Sequence, residues 1–346
     1  MSRYEEILSI LSNRPFRWVV TGAAGFIGSH LVETLLGLKQ QVIGLDCFLS
    51  GTRSNLDEAV SLCGNGKPDL RFVKGDIRDM EACREVCEGA DFVLHQAALV
   101  SVPRSFDEPH LNNSCNITGF LNMLLAARDA NVRSFVFASS AAVYGAQPQG
   151  PICENTPLAP MSPYAVAKRT GELYSRVLSC GMRSTGLRYM NAYGPRQDPS
   201  SPYSGVISIW TKQTMEGKTP AIFGDGNNTR DFVYVDDIVQ ANILAAMQDT
   251  NDGCNGNVFN VGTGKPTSLE ELLSSIQRAV HEYFPDIPQT ANPRYMPERT
   301  GDIRHSQADI TLARKTLGYE PRLSLAEGLE RMIGGGSKAG KETSKN

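Results

Sequence analysis

No stretch of the 346-residue chain is apolar for the roughly 18 consecutive residues that a membrane-crossing helix needs, so no span is expected. Charge of one sign is also missing in excess: 34 basic residues stand against 37 acidic ones, for a net charge of -3. Nothing in that balance would neutralise a phosphate backbone, which argues against a nucleic-acid partner. Paired cysteines are absent too. Cys47, Cys63, Cys83, Cys87, Cys115, Cys153, Cys180 and Cys254 are scattered, and only Cys83 and Cys87 lie close together. A zinc site would pair short Cys–Cys spacings with a second Cys or His pair. No metal site is therefore expected, and free thiols in a reducing cytoplasm are the simpler reading. The first residues, MSRYEEILSILSNRPFRW, have charges on both sides of their apolar stretch and no small-residue cleavage site. A short amphipathic helix is expected there, not a secretory signal.

What remains is an ordinary globular composition, 41% hydrophobic and 21% charged, able to bury a core without disulfides or metals. The length fits about two domains. Short apolar runs alternate with longer helical patterns. Strands are expected at Arg17–Thr21, Gln41–Asp46, Arg71–Gly75, Asp91–His95 and Ser134–Ser139, with two more at Thr185–Tyr189 and Val258–Val261. Helical spacing marks Gly25–Gly37 and Phe120–Ala130. Strand–helix alternation implies βαβ units and an α/β fold, a Rossmann-type doubly wound parallel sheet. After residue 190 Pro and Gly become frequent, consistent with a smaller α/β domain over the sheet's carboxyl edge, where ligands bind in open α/β sheets. The expected division is 1–188, returning at about 237–262, for the sheet domain, and 189–236 with 263–333 for the smaller one. Residues 334–346 (GGGSKAGKETSKN) are flexible by composition.

Thr21-Gly22-Ala23-Ala24-Gly25-Phe26-Ile27-Gly28 falls where the first strand hands over to the first long helix. Gly22 permits a tight turn, Gly25 lets backbone N–H groups approach a pyrophosphate, and Gly28 allows close helix–strand packing. The helix N-terminus adds free donors and partial positive charge. Three glycines at this spacing also occur in corners that bind nothing. Two acids strengthen the ligand reading. Asp46 ends the second strand, where a carboxylate accepts hydrogen bonds from an adenosine ribose and repels a 2′-phosphate, favouring NAD over NADP. Asp76, after the third strand, could meet the adenine. Either acid alone is more often a helix cap or a solvated group.

Tyr164 and Lys168 lie four residues apart, after Pro163 at a helix start, and so share a helix face. The pair also fits a plain solvated face. Its chemical reading is specific. A phenol of pKa near 10 is too weak a base at neutral pH. A nearby ammonium and an oxidised nicotinamide both favour the phenolate, which can then take a hydroxyl proton as hydride leaves the same carbon. Ala138-Ser139-Ser140-Ala141-Ala142-Val143-Tyr144-Gly145 ends the fifth strand and offers a hydroxyl to the same oxygen.

These segments, with His95-Gln96-Ala97-Ala98, Leu187–Asn191, Arg230–Asp237 and Asn260–Gly264, resemble the extended short-chain dehydrogenase/reductase superfamily from about Trp18 to Ile333. The set looks most like UDP-hexose 4-epimerases. The N-terminal extension and His95–Arg104 are similar to bacterial UDP-N-acetylglucosamine 4-epimerases of polysaccharide biosynthesis. The resemblance implies that Gly22, Gly25, Phe26, Ile27, Gly28, Asp46, Asp76, Ile77, Gln96, Ala97, Lys168 and Tyr189 hold NAD. It implies Tyr164 as the base and Ser140 as its hydroxyl partner. Asn191, Arg230, Arg299 and Asp302 would hold the UDP moiety, with guanidinium groups suited to bidentate diphosphate binding. It also implies a homodimer, with helices at Phe120–Ala130 and Tyr164–Cys180 paired across a two-fold.

Related dehydratases carry an Asp-Glu pair after the hydroxyl residue, and related decarboxylases a Glu. Here Ala141 and Ala142 stand there, which points to oxidation and re-reduction without elimination. In this family the position gating sugar size falls on Ser306, where hexose-restricted enzymes have a tyrosine. A small residue leaves room for a 2-N-acetyl group. The expectation is NAD-dependent interconversion of UDP-N-acetylglucosamine and UDP-N-acetylgalactosamine, with UDP-glucose/UDP-galactose weaker. Arg104 suits a sugar carboxylate, so UDP-uronate 4-epimerisation stays open beside a dehydratase, a decarboxylase and a non-catalytic NAD-binding regulator.

Overall fold

A strand that helices cover on both faces has no solvent face, and its residues read as continuous apolar runs. The computed structural model bears this out at β1 (Arg17–Thr21), buried from Trp18 onward, and at β2 (Gln41–Asp46), buried from Val42 onward. Residues 1–63, 68–147, 150–199, 205–248, 256–288, 293–298 and 303–342 are described, with side chains to 335. The chain opens with α1 (Arg3–Asn13), whose Tyr4, Ile7 and Leu11 are buried. Around β1 and β2 come α2 (Phe26–Gly37), α3 (Arg53–Ser61), β3 (Leu70–Lys74), α4 (Met80–Cys87) and β4 (Phe92–His95). Short helices α5 (Val102–Asp107) and α6 (Pro109–Asn113) run through a π-helical turn at Ser114–Gly119 into α7 (Phe120–Asp129). Then follow β5 (Ser134–Ser140), a 3₁₀ turn at Ala141–Tyr144, α8 (Pro163–Leu178) and β6 (Arg183–Tyr189).

The later chain has β7 (Asn191–Tyr193), α9 (Val206–Met215), β8 (Ala221–Phe223), β9 (Thr229–Tyr234), α10 (Val235–Ala246) and β10 (Asn257–Val261). It closes with β11 (Pro266–Ser268), α11 (Leu269–Tyr283), β12 (Arg294–Met296), α12 (Thr311–Leu317) and α13 (Leu325–Glu342).

Seven strands form one parallel sheet in the order β10-β6-β5-β4-β1-β2-β3. The order reverses at β1, between β2 and β4, so a crevice opens at the carboxyl ends of these strands. Separate apolar clusters fill the two faces, one including residues of α1, α2, α10 and α12, the other including residues of α4 and α7. The seven expected strands of this sheet are all present, within two residues at each end. Two small sheets, β11-β9-β7 and β12-β8, lie beyond the carboxyl edge, with a third core that includes residues of α9, α11 and α13. Four of these five strands, β7, β8, β11 and β12, were invisible to patterning, since three residues cannot show a period of two. α13, docked through Leu329 and Ile333, runs on past Gly334 to Glu342, although each glycine there costs a helix about 1 kcal/mol relative to alanine.

Candidate functional site

Gly22 begins the turn after β1 with φ +67, and its N–H donates to Leu45 O at 2.8 Å. A Cβ on Gly28 would lie 1.9 Å from the Gly22 carbonyl oxygen, so α2 can start this close to the turn only without a side chain there. Gly25 is the N-cap of α2 and makes no side-chain cap. The first turn of α2 keeps the donors an anion would use. Asp46, at the end of β2, braces the same turn: its carboxylate accepts from Ala24 N at 2.9 Å and Phe48 N at 2.7 Å. Burial raises its pKa and these bonds oppose the rise. A carboxylate accepts about four hydrogen bonds, so capacity remains for a ribose hydroxyl. A glycine cradle that a Cβ would fill and a buried acid beside it fit NAD.

The other expected cofactor residues divide. Asp76 is taken by Arg78, whose Nη2 donates to it at 2.6 Å and whose backbone N donates at 2.9 Å. That hydrogen bonding, first of all from the guanidinium, lowers the Asp76 pKa. Ile77 is buried against Gly119 of the π-helical turn, as a core residue. Phe26 and Ile27 open α2, with their rings and methyls against the third core. Ala97 N donates to Thr21 Oγ1 at 3.2 Å, which seats the Gln96–Ala97 backbone on the glycine turn. Gln96 and Tyr189 do come together, and a third residue joins them. Tyr189 OH donates to Gln96 Oε1 (3.0 Å), Gln96 Nε2 donates to Asn242 Oδ1 (3.0 Å), and Asn242 Nδ2 donates to Tyr189 OH (2.8 Å). This closed ring fixes both side chains through Asn242 of α10. Nothing in the sequence marked Asn242 beyond a polar residue inside an otherwise buried helix.

Pro163 at the first position and the Ser162 cap start α8, placing Tyr164 and Lys168 on its buried face. Lys168 Nζ donates to Ala138 O at 2.7 Å and lies 5.7 Å from the centre of the Tyr164 ring. Burial lowers the Lys168 pKa to about 8. The Ser140 side chain lies beside the Tyr164 hydroxyl and favours its ionisation, yet burial outweighs that influence and raises the Tyr164 pKa to about 12. The downward shift expected from sequence is thus not a property of the protein alone. A cavity of about 10 Å³, room for one water, borders Lys168, His95, Asn116 and Ala138.

Above the sheet, Asn191 on β7 donates to Asp231 O (3.2 Å), and Arg230 on β9 donates to Thr229 O (2.8 Å). Ser306 N donates to Thr229 O at 3.1 Å, bringing the expected gating residue beside the same strand. Arg299 and Asp302 lie outside the described residues. Arg104 is held by Glu108, four residues on along the chain, with Nε to Oε1 at 2.6 Å. Asp231 escaped the sequence reading. It is fully buried and accepts from Thr263 N, Thr263 Oγ1, Gly264 N and Ala308 N at 2.8–3.1 Å. It thereby locks β9 to the loops that follow β10 and precede α12.

A family model described as NAD dependent epimerase/dehydratase family matches residues 18–262. The UDP-glucose 4-epimerase of Mycolicibacterium smegmatis is 40% identical over 325 residues, which cover 92% of this chain and 97% of that one. Among solved structures, Thermotoga maritima UDP-glucose 4-epimerase with UDP-glucose superposes with a TM-score of 0.82 at 35% identity, covering 95% of this chain and 100% of its own. The UDP-N-acetylglucosamine 4-epimerase of Methanobrevibacter ruminantium M1, in complex with UDP-N-acetylmuramic acid, gives 0.82 at 36% identity, covering 93% and 98%.

Proposed function

The chain belongs to the NAD dependent epimerase/dehydratase family, and from that membership we propose a UDP-sugar 4-epimerase that interconverts UDP-N-acetylglucosamine and UDP-N-acetylgalactosamine. The observation that carries this reading is the buried Tyr164, facing Ser140, with Lys168 one helical turn along. The two positions after Ser140, Ala141 and Ala142, have no acid or base. Such a site can move one proton on and off one oxygen, and holds no second acid–base pair next to it to expel water or carbon dioxide.

Gly22, Gly25, Gly28 and Asp46 would hold NAD, with Gln96, Ala97, Lys168 and Tyr189 at its nicotinamide end. When bound, NAD accepts a hydride from the sugar's C4 and returns it. Tyr164 takes the C4 hydroxyl proton and returns it to the same oxygen once the 4-keto sugar has turned its other face to the site, which is what inverts C4. Bringing its pKa from about 12 to near neutrality asks for roughly 7 kcal/mol. The charges of Lys168 and of the oxidised nicotinamide act in that direction, in a buried site where they are weakly screened. Ser140 holds the same oxygen. Asn191, Arg230, Arg299 and Asp302 would anchor the UDP. We assign 1–188 and 237–262 to the cofactor domain and 189–236 with 263–333 to the UDP-sugar domain.

A serine at 306 leaves space for the acetamido group. The same space admits plain hexoses, and UDP-glucose/UDP-galactose is the second reading, favoured by the names of two of the three relatives above. The Arg104–Glu108 ion pair disfavours a uronate, since Arg104 would have to leave Glu108 to meet a sugar carboxylate. The exposed apolar side chains Val166, Leu173 and Val177 of α8, with Val102 and Phe106 of α5, fit a homodimer built on α8. The test is purified protein without added NAD, given UDP-N-acetylglucosamine, UDP-glucose and UDP-glucuronate and followed by NMR. UDP-N-acetylgalactosamine is expected in the first tube. A 4-keto or pentose product would overturn epimerisation, and galactose alone would move the assignment to the second reading.

A further inference from the structure

Three consecutive residues at the end of β5 are each engaged by α8. Ala138 O accepts from Lys168 Nζ at 2.7 Å, Ser139 Oγ donates to Glu172 Oε1 at 2.6 Å, and the Ser140 side chain faces the Tyr164 hydroxyl. On α8 the three partners fall at positions 164, 168 and 172, a spacing of four that keeps them on one face. The outer two rungs belong to the site already described. The middle one does not, yet it is the most heavily braced. Glu172 is 3% exposed, and Arg188 of β6 grips both its oxygens at 2.8 Å through Nε and Nη2. Arg169 adds a contact at 2.9 Å. Arg188 passes the connection on, donating to Tyr144 OH (2.9 Å) and Glu154 O (3.0 Å), while Tyr144 OH donates to Asn260 Oδ1 of β10 (2.6 Å). Ser139 is in register with Arg188, and Ser140 with Tyr189, so one carboxylate ties the helix to two adjacent strands at the level of the base.

We propose that Glu172 is a positioning residue, which sets the distance between Tyr164 and Ser140 by anchoring α8 to Ser139 and Arg188. It touches neither substrate nor cofactor. The inference rests on Tyr164 being the base. A loosened middle rung lets the helix drift from β5, and a base misplaced by a fraction of an ångström loses rate without losing binding. It also weakens the Ser140 influence that favours the phenolate. The ionisable neighbours of Tyr164 are Lys168 on its own helix and Tyr189 on β6, and neither contacts Glu172 in the network above.

The test uses the full chain with its own cofactor, UDP-N-acetylglucosamine and UDP-glucose in parallel, and four variants. Ser139→Ala removes one hydroxyl. It is expected to lower kcat about 10-fold, leave KM within about twofold and retain bound NAD. The acid limb of the kcat–pH profile should move up by about half a unit or more, which a general loss of stability would not cause. Glu172→Gln should do the same more strongly, and the double variant should be no worse than Glu172→Gln alone. If Glu172→Gln does not fold, Ser139→Ala decides. A Ser139→Ala kcat within about twofold of wild type, or a lower kcat with an unmoved acid limb, overturns the proposal. Tyr164→Phe separates the two levels: inactive Tyr164→Phe with unaffected Ser139→Ala sinks only the positioning role, while active Tyr164→Phe sinks both.

Discussion

A methyl group at position 28 would overlap the Gly22 carbonyl oxygen, and no side chain lies between them to yield. Gly28→Ala must therefore push α2 away from the turn that Asp46 braces. Loss of the bound cofactor is expected, read as an absorbance ratio of protein alone after purification, with activity down at least about 100-fold. Full NAD content would show that the turn has slack. Asp237 illustrates the opposite situation, a residue whose ordinary chemistry is a burden. It is fully buried, its Oδ1 accepts from Arg322 N at 2.8 Å, and Oδ2 has no partner among the described residues. Burial, opposed by that bond, raises its pKa to about 6. The folded state therefore binds the proton more tightly than the unfolded chain. Stability contributed by this group is full below pH 4 and is lost as pH rises through 6, by about 3 kcal/mol. Asp237→Asn keeps the acceptor and removes the charge. Its stability relative to wild type should be higher at pH 8 than at pH 4.5 by about 2 kcal/mol, measured by denaturant midpoints at both pH values. A difference that does not change with pH would show that Asp237 is already neutral or solvated.

Among elements, α1 was expected only as an amphipathic stretch, and its docking depends on one glutamine far along the chain. Gln40 Oε1 accepts from Phe16 N (2.9 Å) and Trp18 Nε1 (3.1 Å), while its Nε2 donates to Leu11 O (2.7 Å) and Leu38 O (3.0 Å). It thus closes the end of α1 onto β1 and α2. Gln40→Ala strands several buried polar groups and should cost about 2–4 kcal/mol, seen as a lower denaturation midpoint with KM unchanged. A shift below about 0.5 kcal/mol would mean that water replaces the amide. Glutamine before a strand carries no local signal of this duty, because these four partners come from other segments or from turns. α8 was the contrary case. Its Ser-Pro start and the four-residue spacing of Tyr164 and Lys168 are local, so its position and the face those two residues share were readable from the sequence alone, while the burial of that face came from the strands it packs against.

For the whole molecule, α8 has two faces with two duties. One carries Tyr164, Lys168 and Glu172 inward. The other leaves Val166 50%, Leu173 47% and Val177 65% exposed, a stripe that a second copy would cover. A paired Val166→Glu and Leu173→Glu variant should run as a monomer by light scattering at about 10 μM while wild type runs as a dimer, since like charges would meet across the two-fold. A monomeric wild type would refute the pairing. The small sheets show why the rest of the site was harder to read. Asn191, Arg230 and Ser306 are far apart in sequence and meet only through strands of three to six residues, and through the bridge between Thr229 and His305.

The positions of the sheet strands along the chain, the glycine turn, Asp46 at the end of β2, and the tyrosine and lysine of one helix face followed from short-range pattern, because each depends on residues within a turn or a strand of one another. Three things depended on groups brought from elsewhere. Asp76 pairs with Arg78 and Arg104 with Glu108. Gln96 and Tyr189 are joined and oriented by Asn242. The Tyr164 pKa was pushed up, not down. Burial and hydrogen-bond saturation are sums over neighbours in space, and only the folded chain supplies those neighbours.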